Sequence, residues 1–104
     1  MEVLLIHKAV GLLPPESWVA LTEMGKKLQA NPGEFVPGGK LIAAYSARAL
    51  SMIICLWEVP SMEAMMPALE QMNMLGMDTD TILVDKLPVG IAKFEQALKA
   101  MQAK

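Results

Sequence analysis

Cysteine and histidine are nearly absent. The chain of 104 residues has one of each, Cys55 and His7. One cysteine excludes an intrachain disulfide and any multi-cysteine zinc site, and one histidine excludes metal centres that need several imidazoles. Charge is sparse at 19% and carries no basic excess, since Lys and Arg total 9 against 11 Asp and Glu, a formal charge of −2. A nucleic-acid binder normally shows a basic face, so that class of partner is not expected. Long apolar runs are missing too. Leu50 to Trp57 is the longest and is interrupted by Ser51, well short of the ~18 to 20 residues that a membrane helix needs. The opening Met1-Glu2-Val3-Leu4-Leu5-Ile6-His7-Lys8 has its acid second and its base after the apolar run, unlike a secretory leader. The expectation is a cytoplasmic protein with no membrane partner, where a lone thiol stays reduced.

What is abundant is apolar side chain. Hydrophobic residues make up 54% of the chain, and mean hydropathy is +0.38. Glycine and proline, at 7 each, are too few for a disordered or collagen-like chain. This length suits one domain, 1–104.

Val3 to Val10 reads as a strand, short, apolar and bounded by Gly11 and Pro14-Pro15. Pro15 suits the first turn of a helix carrying Trp18, Leu21, Gly25 and Leu28 on one stripe, stopped by Asn31-Pro32-Gly33. Lys40 to Ser46 and Ser51 to Val59 read as two strands joined by Ala47-Arg48-Ala49-Leu50. Pro60 ends the second of them. Ser61 is an N-cap candidate and Met62, Met65, Met66, Leu69 and Met72 mark the inner face of a helix, with Pro67 predicting a kink or a later start. Thr79 to Leu87 reads as a fourth strand closed by Pro88-Val89-Gly90, before a final helix carrying Ile91, Phe94, Leu98 and Met101. The order β-α-β-β-α-β plus a terminal helix predicts an α+β, ferredoxin-like domain with a four-stranded antiparallel sheet.

The strands are apolar on both faces. Val3 and Leu5 share a face with His7, and Leu4 and Ile6 share the other; Ile54 and Leu56 oppose Ile53, Cys55 and Trp57. Two helices cover one face of such a sheet, and a wet second face would alternate with polar residues. A homodimer is therefore expected, the competing arrangement being a monomer whose terminal helix, residues 91–104, folds over the open face.

The element order, together with Ile53-Ile54-Cys55-Leu56-Trp57-Glu58 and the following Pro60-Ser61-Met62-Glu63-Ala64, resembles the dimeric α/β-barrel superfamily. The resemblance implies that two ferredoxin-like subunits pair their sheets face to face. It implies a pocket between sheet and helices, and no single activity, because the superfamily mixes cofactor-independent monooxygenases, haem-degrading enzymes, isomerases and stress-response proteins.

His7 is the general-base candidate, with its ordinary pKa near neutrality, against the alternative of a structural histidine in the core or at a dimer seam. Tyr45 is a second catalytic candidate, its hydroxyl able to orient a substrate oxygen, against a ring that is simply half-buried. Trp57 could stack on a planar ligand. Glu58, on the opposite face from Trp57, is expected to be partly buried. Met62, Met65, Met66 and Leu69 are expected to line a pocket or fill a core. The chain holds 10 methionines, but their helical spacing fits apolar packing better than a copper or haem site. Gly33-Glu34-Phe35-Val36-Pro37-Gly38-Gly39-Lys40 lacks the spacing, the Ser/Thr and the following helix of a phosphate loop. No cofactor and no metal is expected. Two functions remain open: binding of a small, mostly apolar molecule, with isomerase or monooxygenase-like chemistry as its catalytic form, or a non-catalytic dimeric interaction or regulatory module.

Overall fold

The computed structural model describes residues 1–103, so that Lys104 of the expected terminal helix lies outside the described residues. Strand β1 (Glu2–Ala9) leads to helix α1 (Pro15–Ala30) and a single 3-10 turn at Pro32–Glu34. Strands β2 (Lys40–Ser46) and β3 (Met52–Glu58) form a hairpin. Helix α2 (Met62–Met74), strand β4 (Met77–Val84) and helix α3 (Leu87–Gln102) complete the chain. The sheet runs β2-β3-β1-β4 with every neighbouring pair antiparallel. This α+β arrangement is compatible with a ferredoxin-like fold, as the element order predicts. No helix among the described residues is long and apolar enough to cross a membrane.

Local chemistry explains most boundaries. Pro15 occupies the first turn of α1, where its missing N–H costs nothing. Ser61 caps α2, its hydroxyl accepting from the Ala64 amide at 3.3 Å. α2 runs without a break from Met62 to Met74 through Pro67, which forgoes the bond to the carbonyl four residues earlier. Gly76, at φ +87°, makes the turn into β4, and a Cβ there would lie 2.8 Å from a Leu13 methyl.

The last two elements differ from the sequence expectation. β4 ends at Val84 instead of Leu87, and α3 starts at Leu87 instead of after Gly90. Pro88 is the reason. It reads as a strand terminator, but it sits in the first turn of α3, one of the few helical positions that tolerates proline.

Strand register sorts the side chains into two faces. Leu41, Trp57, Val3 and Leu83 form one cross-strand row on the helix side, and Ser46, Ile53, His7 and Thr79 another. The core gathers here. Val3, Leu5, Cys55, Trp57 and Val59 pack with Val36 and with Met65 of α2. Full burial of side chains such as Leu5 and Met65 stabilises by about 1.5–3 kcal/mol each.

The other face carries the rows Tyr45, Ile54, Ile6, Asp80 and Ala43, Leu56, Leu4, Ile82. No helix covers it. In particular α3 does not fold over it, which corrects the monomeric alternative. α3 buries none of its residues, and Phe94 is 70% exposed. The molecule is correspondingly long, 57 × 30 × 23 Å with a radius of gyration of 16.7 Å, where a compact domain of this length has about 13 Å.

The β2–β3 connection holds a strained residue. Leu50 adopts φ 59°, the one non-glycine with positive φ among the described residues, and its amide donates to the Ala47 carbonyl at 2.9 Å. A left-handed leucine costs roughly 1–2 kcal/mol, whereas asparagine tolerates that conformation. Leu50→Asn is expected to raise stability by about 1 kcal/mol, read as a higher urea midpoint at unchanged slope.

Candidate functional site

A partly open cavity lined by His7 lies between the helix face of the sheet and helices α1 and α2. Its volume is about 100 Å³. The floor is sheet: Leu5 and His7 from β1, and Ile53, Cys55 and Trp57 from β3. Leu21, Met24, Gly25 and Leu28 of α1 form one wall, Ala68, Leu69 and Met72 of α2 another, and Phe35 closes one side.

The cavity exists because α1 does not seat on the sheet. Leu21, Gly25 and Leu28 follow one helical stripe, and the middle position has no side chain. A Cβ built on Gly25 meets nothing within 4 Å. No residue of α1 is fully buried.

His7 is the one residue of this wall that carries a strong hydrogen-bond acceptor. It is 5% exposed, and its Nδ1 lies 2.7 Å from Thr79 Oγ1 on the neighbouring strand. Register brings them together, since His7 and Thr79 are directly paired across β1 and β4. The roles depend on the tautomer. If Nδ1–H donates to Thr79, Nε2 is a bare acceptor; if the Thr79 hydroxyl donates, Nε2 carries the proton. No side-chain polar atom cut off from solvent lacks a partner among the described residues. Nε2, without a bonded partner of its own, therefore faces open space, and His7 lines the cavity.

Burial sets the electrostatics. Desolvation lowers the His7 pKa from 6.5 to about 4, so the imidazole is neutral at physiological pH. The same effect pushes the Cys55 thiol up to about 11, which leaves it protonated and unreactive. No acid or base other than these two lines the cavity. No group of three or more His, Cys, Asp or Glu suited to a metal ion occurs among the described residues.

The sequence candidates are distributed unequally. His7, Trp57 and Leu69 meet at the cavity. Tyr45 does not join them: it is exposed on the open face of the sheet, opposite Ile54. Glu58 lies on that face too, between Glu2 and Lys40, and it is exposed instead of partly buried. As the terminal residue of its strand it sits beyond the apolar rows, so sharing their face does not bury it. Met65 is fully buried in the core and Met62 packs against that core, whereas Met66 points outward.

Sequence reasoning missed Thr79, Met24, Phe35 and Met72 as site residues. For Thr79 the signal is pairing register, which no single strand displays. For Gly25 the signal was present, as a gap in an otherwise apolar stripe.

The lowered His7 pKa makes stability depend on pH. Above pH 6.5 the ring is neutral in both folded and unfolded chains and contributes no slope. Between pH 6.5 and about 4 the unfolded chain binds a proton that the folded chain refuses, so stability falls with acidification by up to about 1.4 kcal/mol per pH unit. His7→Gln keeps a partner for Thr79 and should lose this part of the slope, as read by urea unfolding across that window. The imidazole resonances of the single histidine report the folded-state pKa directly.

Neither a scan against protein-family models nor a search of the curated proteins finds a match for this chain.

Proposed function

We propose that this protein binds a small, neutral, mostly apolar molecule between the sheet and helices α1 and α2, as a homodimer whose open sheet faces pair as in dimeric α/β barrels. The observation that carries the ligand is the cavity of about 100 Å³, walled by aliphatic, aromatic and thioether side chains with one imidazole in its floor. An apolar site with few placed polar groups is the usual form of a small-molecule pocket. A space of this order suits a single ring.

The chemistry of the wall narrows the ligand. No cation lines the cavity to neutralise an anion, and a charged ligand would lose its hydration without compensation. A hydroxyl is the fitting polar group, because it donates to Nε2 in one His7 tautomer and accepts from it in the other. Trp57 and Phe35 favour a planar ring. His7 orients such a ligand better than it deprotonates it, since a base whose conjugate acid has a pKa of about 4 is weak at neutral pH. Binding, with catalysis as a secondary possibility of the same site, is the function that this geometry supports.

Phenol tests the proposal. On titration into the protein, the methyl resonances of Met24 and Met72 should shift, and toluene should bind about fivefold more weakly for want of one hydrogen bond. Gly25→Leu fills the open stripe position and should abolish the shifts while the fold persists, since leucine is the better helix former by about 0.8 kcal/mol. Unmoved methionine resonances at millimolar phenol would overturn the proposal, as would undiminished binding by Gly25→Leu.

A further inference from the structure

Helix α3 is the part of the molecule that its own subunit does not explain. It is 16 residues long, a length at which an isolated helix is only marginal in water without tertiary packing. Its apolar residues Leu87, Ile91, Phe94, Leu98 and Met101 alternate four and three apart. This is the narrow stripe of a helix that meets another surface along one seam. All five are exposed. Gly90 and Ala97, seven residues apart, flank the stripe on one side with almost no side chain, which permits close backbone approach. The helix is tied to its subunit near its start by an ion pair between Lys93 and Asp85.

The area of the molecule points to what covers this stripe. The chain exposes 7412 Å², whereas a compact monomer of this mass exposes about 5,700 Å². The excess of roughly 1,700 Å² per chain is about twice what each partner contributes to a standard interface, and falls in the range of obligate homodimers. The exposed α3 stripe contributes to it, as do Ile82 of the open sheet face and helix α1, none of whose residues is buried. An excess of this size matches what each chain of an obligate homodimer buries, so a second copy of this chain is the occupant that it fits.

We infer that α3 is a dimerisation arm, which leaves its own subunit and buries its apolar stripe against a second copy of this chain. The inference rests on the homodimer proposed above and adds the element that holds it. The arm is a separate device from the cavity: α3 contributes no residue to the cavity wall.

The test uses the full chain and its variant Phe94→Glu/Leu98→Glu, compared by sedimentation velocity over a micromolar concentration series. The wild type should sediment as a dimer, and the variant should dissociate about a hundredfold more readily. Ala92→Glu, on the opposite side of α3, should leave the dimer intact. Because α3 buries none of its residues and contributes none to the cavity wall, the His7 ring resonances should be unchanged in the variant, which separates loss of the arm from loss of the fold. A wild type that is monomeric at micromolar concentration would overturn both the homodimer and the arm. A wild-type dimer that Phe94→Glu/Leu98→Glu leaves as tight as before would overturn the arm alone.

Discussion

Strands β1 and β3 are apolar on both faces, and they are the two central strands of the sheet. Antiparallel sheets normally hide one face and wet the other. Here the helix side takes Val3, Leu5, Cys55 and Trp57, while Leu4, Ile6, Ile54 and Leu56 are left on the far side. The chain has two helices that can reach the sheet, and both lie on one side of it. The core, the cavity and the open apolar face all follow from that imbalance between apolar surface and the elements available to cover it.

On the covered side the coverage is incomplete, and the gap is where chemistry becomes possible. α2 seats firmly, with Met65 and Met72 buried. α1 does not: none of its residues is buried, and Gly25 in the middle of its inward stripe leaves the space beneath it unfilled. His7 lies under this gap. Burial withdraws water from its ring and keeps it neutral, while Thr79 holds one ring nitrogen and leaves the other facing the cavity. The same dry surroundings make the imidazole a poor base and Cys55 a poor nucleophile. Both have one cause, desolvation.

On the uncovered side, the charged residues fall at strand ends and on the edge strand β4. Lys8 pairs with Asp80 at 2.9 Å, and Glu2, Glu58 and Lys40 lie together at the opposite end. Leu4, Ile6, Leu56 and Ile82 occupy the middle. An apolar centre inside a charged rim is the anatomy of an interface. At the edge of the sheet, the shift in register between Leu41 and Ala43 bends β2, and such bulges discourage open-ended strand pairing. Both features support the proposed face-to-face homodimer over growth along the sheet edge.

Much of this architecture is legible in the residues in order. Proline and glycine punctuate the elements, periodicity separates Trp18, Leu21 and Leu28 on a helix from the alternation along β1, and parity shows that Trp57 and Glu58 point opposite ways. Pro88 misleads, since a proline that ends a strand and one that opens a helix look alike without the backbone on either side. The cavity was legible only as a region. His7, Trp57 and Leu69 are apparent as candidates from residue type, whereas Tyr45 has the right chemistry on the wrong face. The sequence by itself determined the element order, the two apolar faces and the scarcity of polar groups, because these depend on local spacing. Tertiary structure alone decided that Thr79 meets His7, that α1 stands off the sheet, and that α3 buries none of its residues. Those outcomes depend on register and on how helices seat against a sheet, and both are set by contacts between residues far apart in the chain.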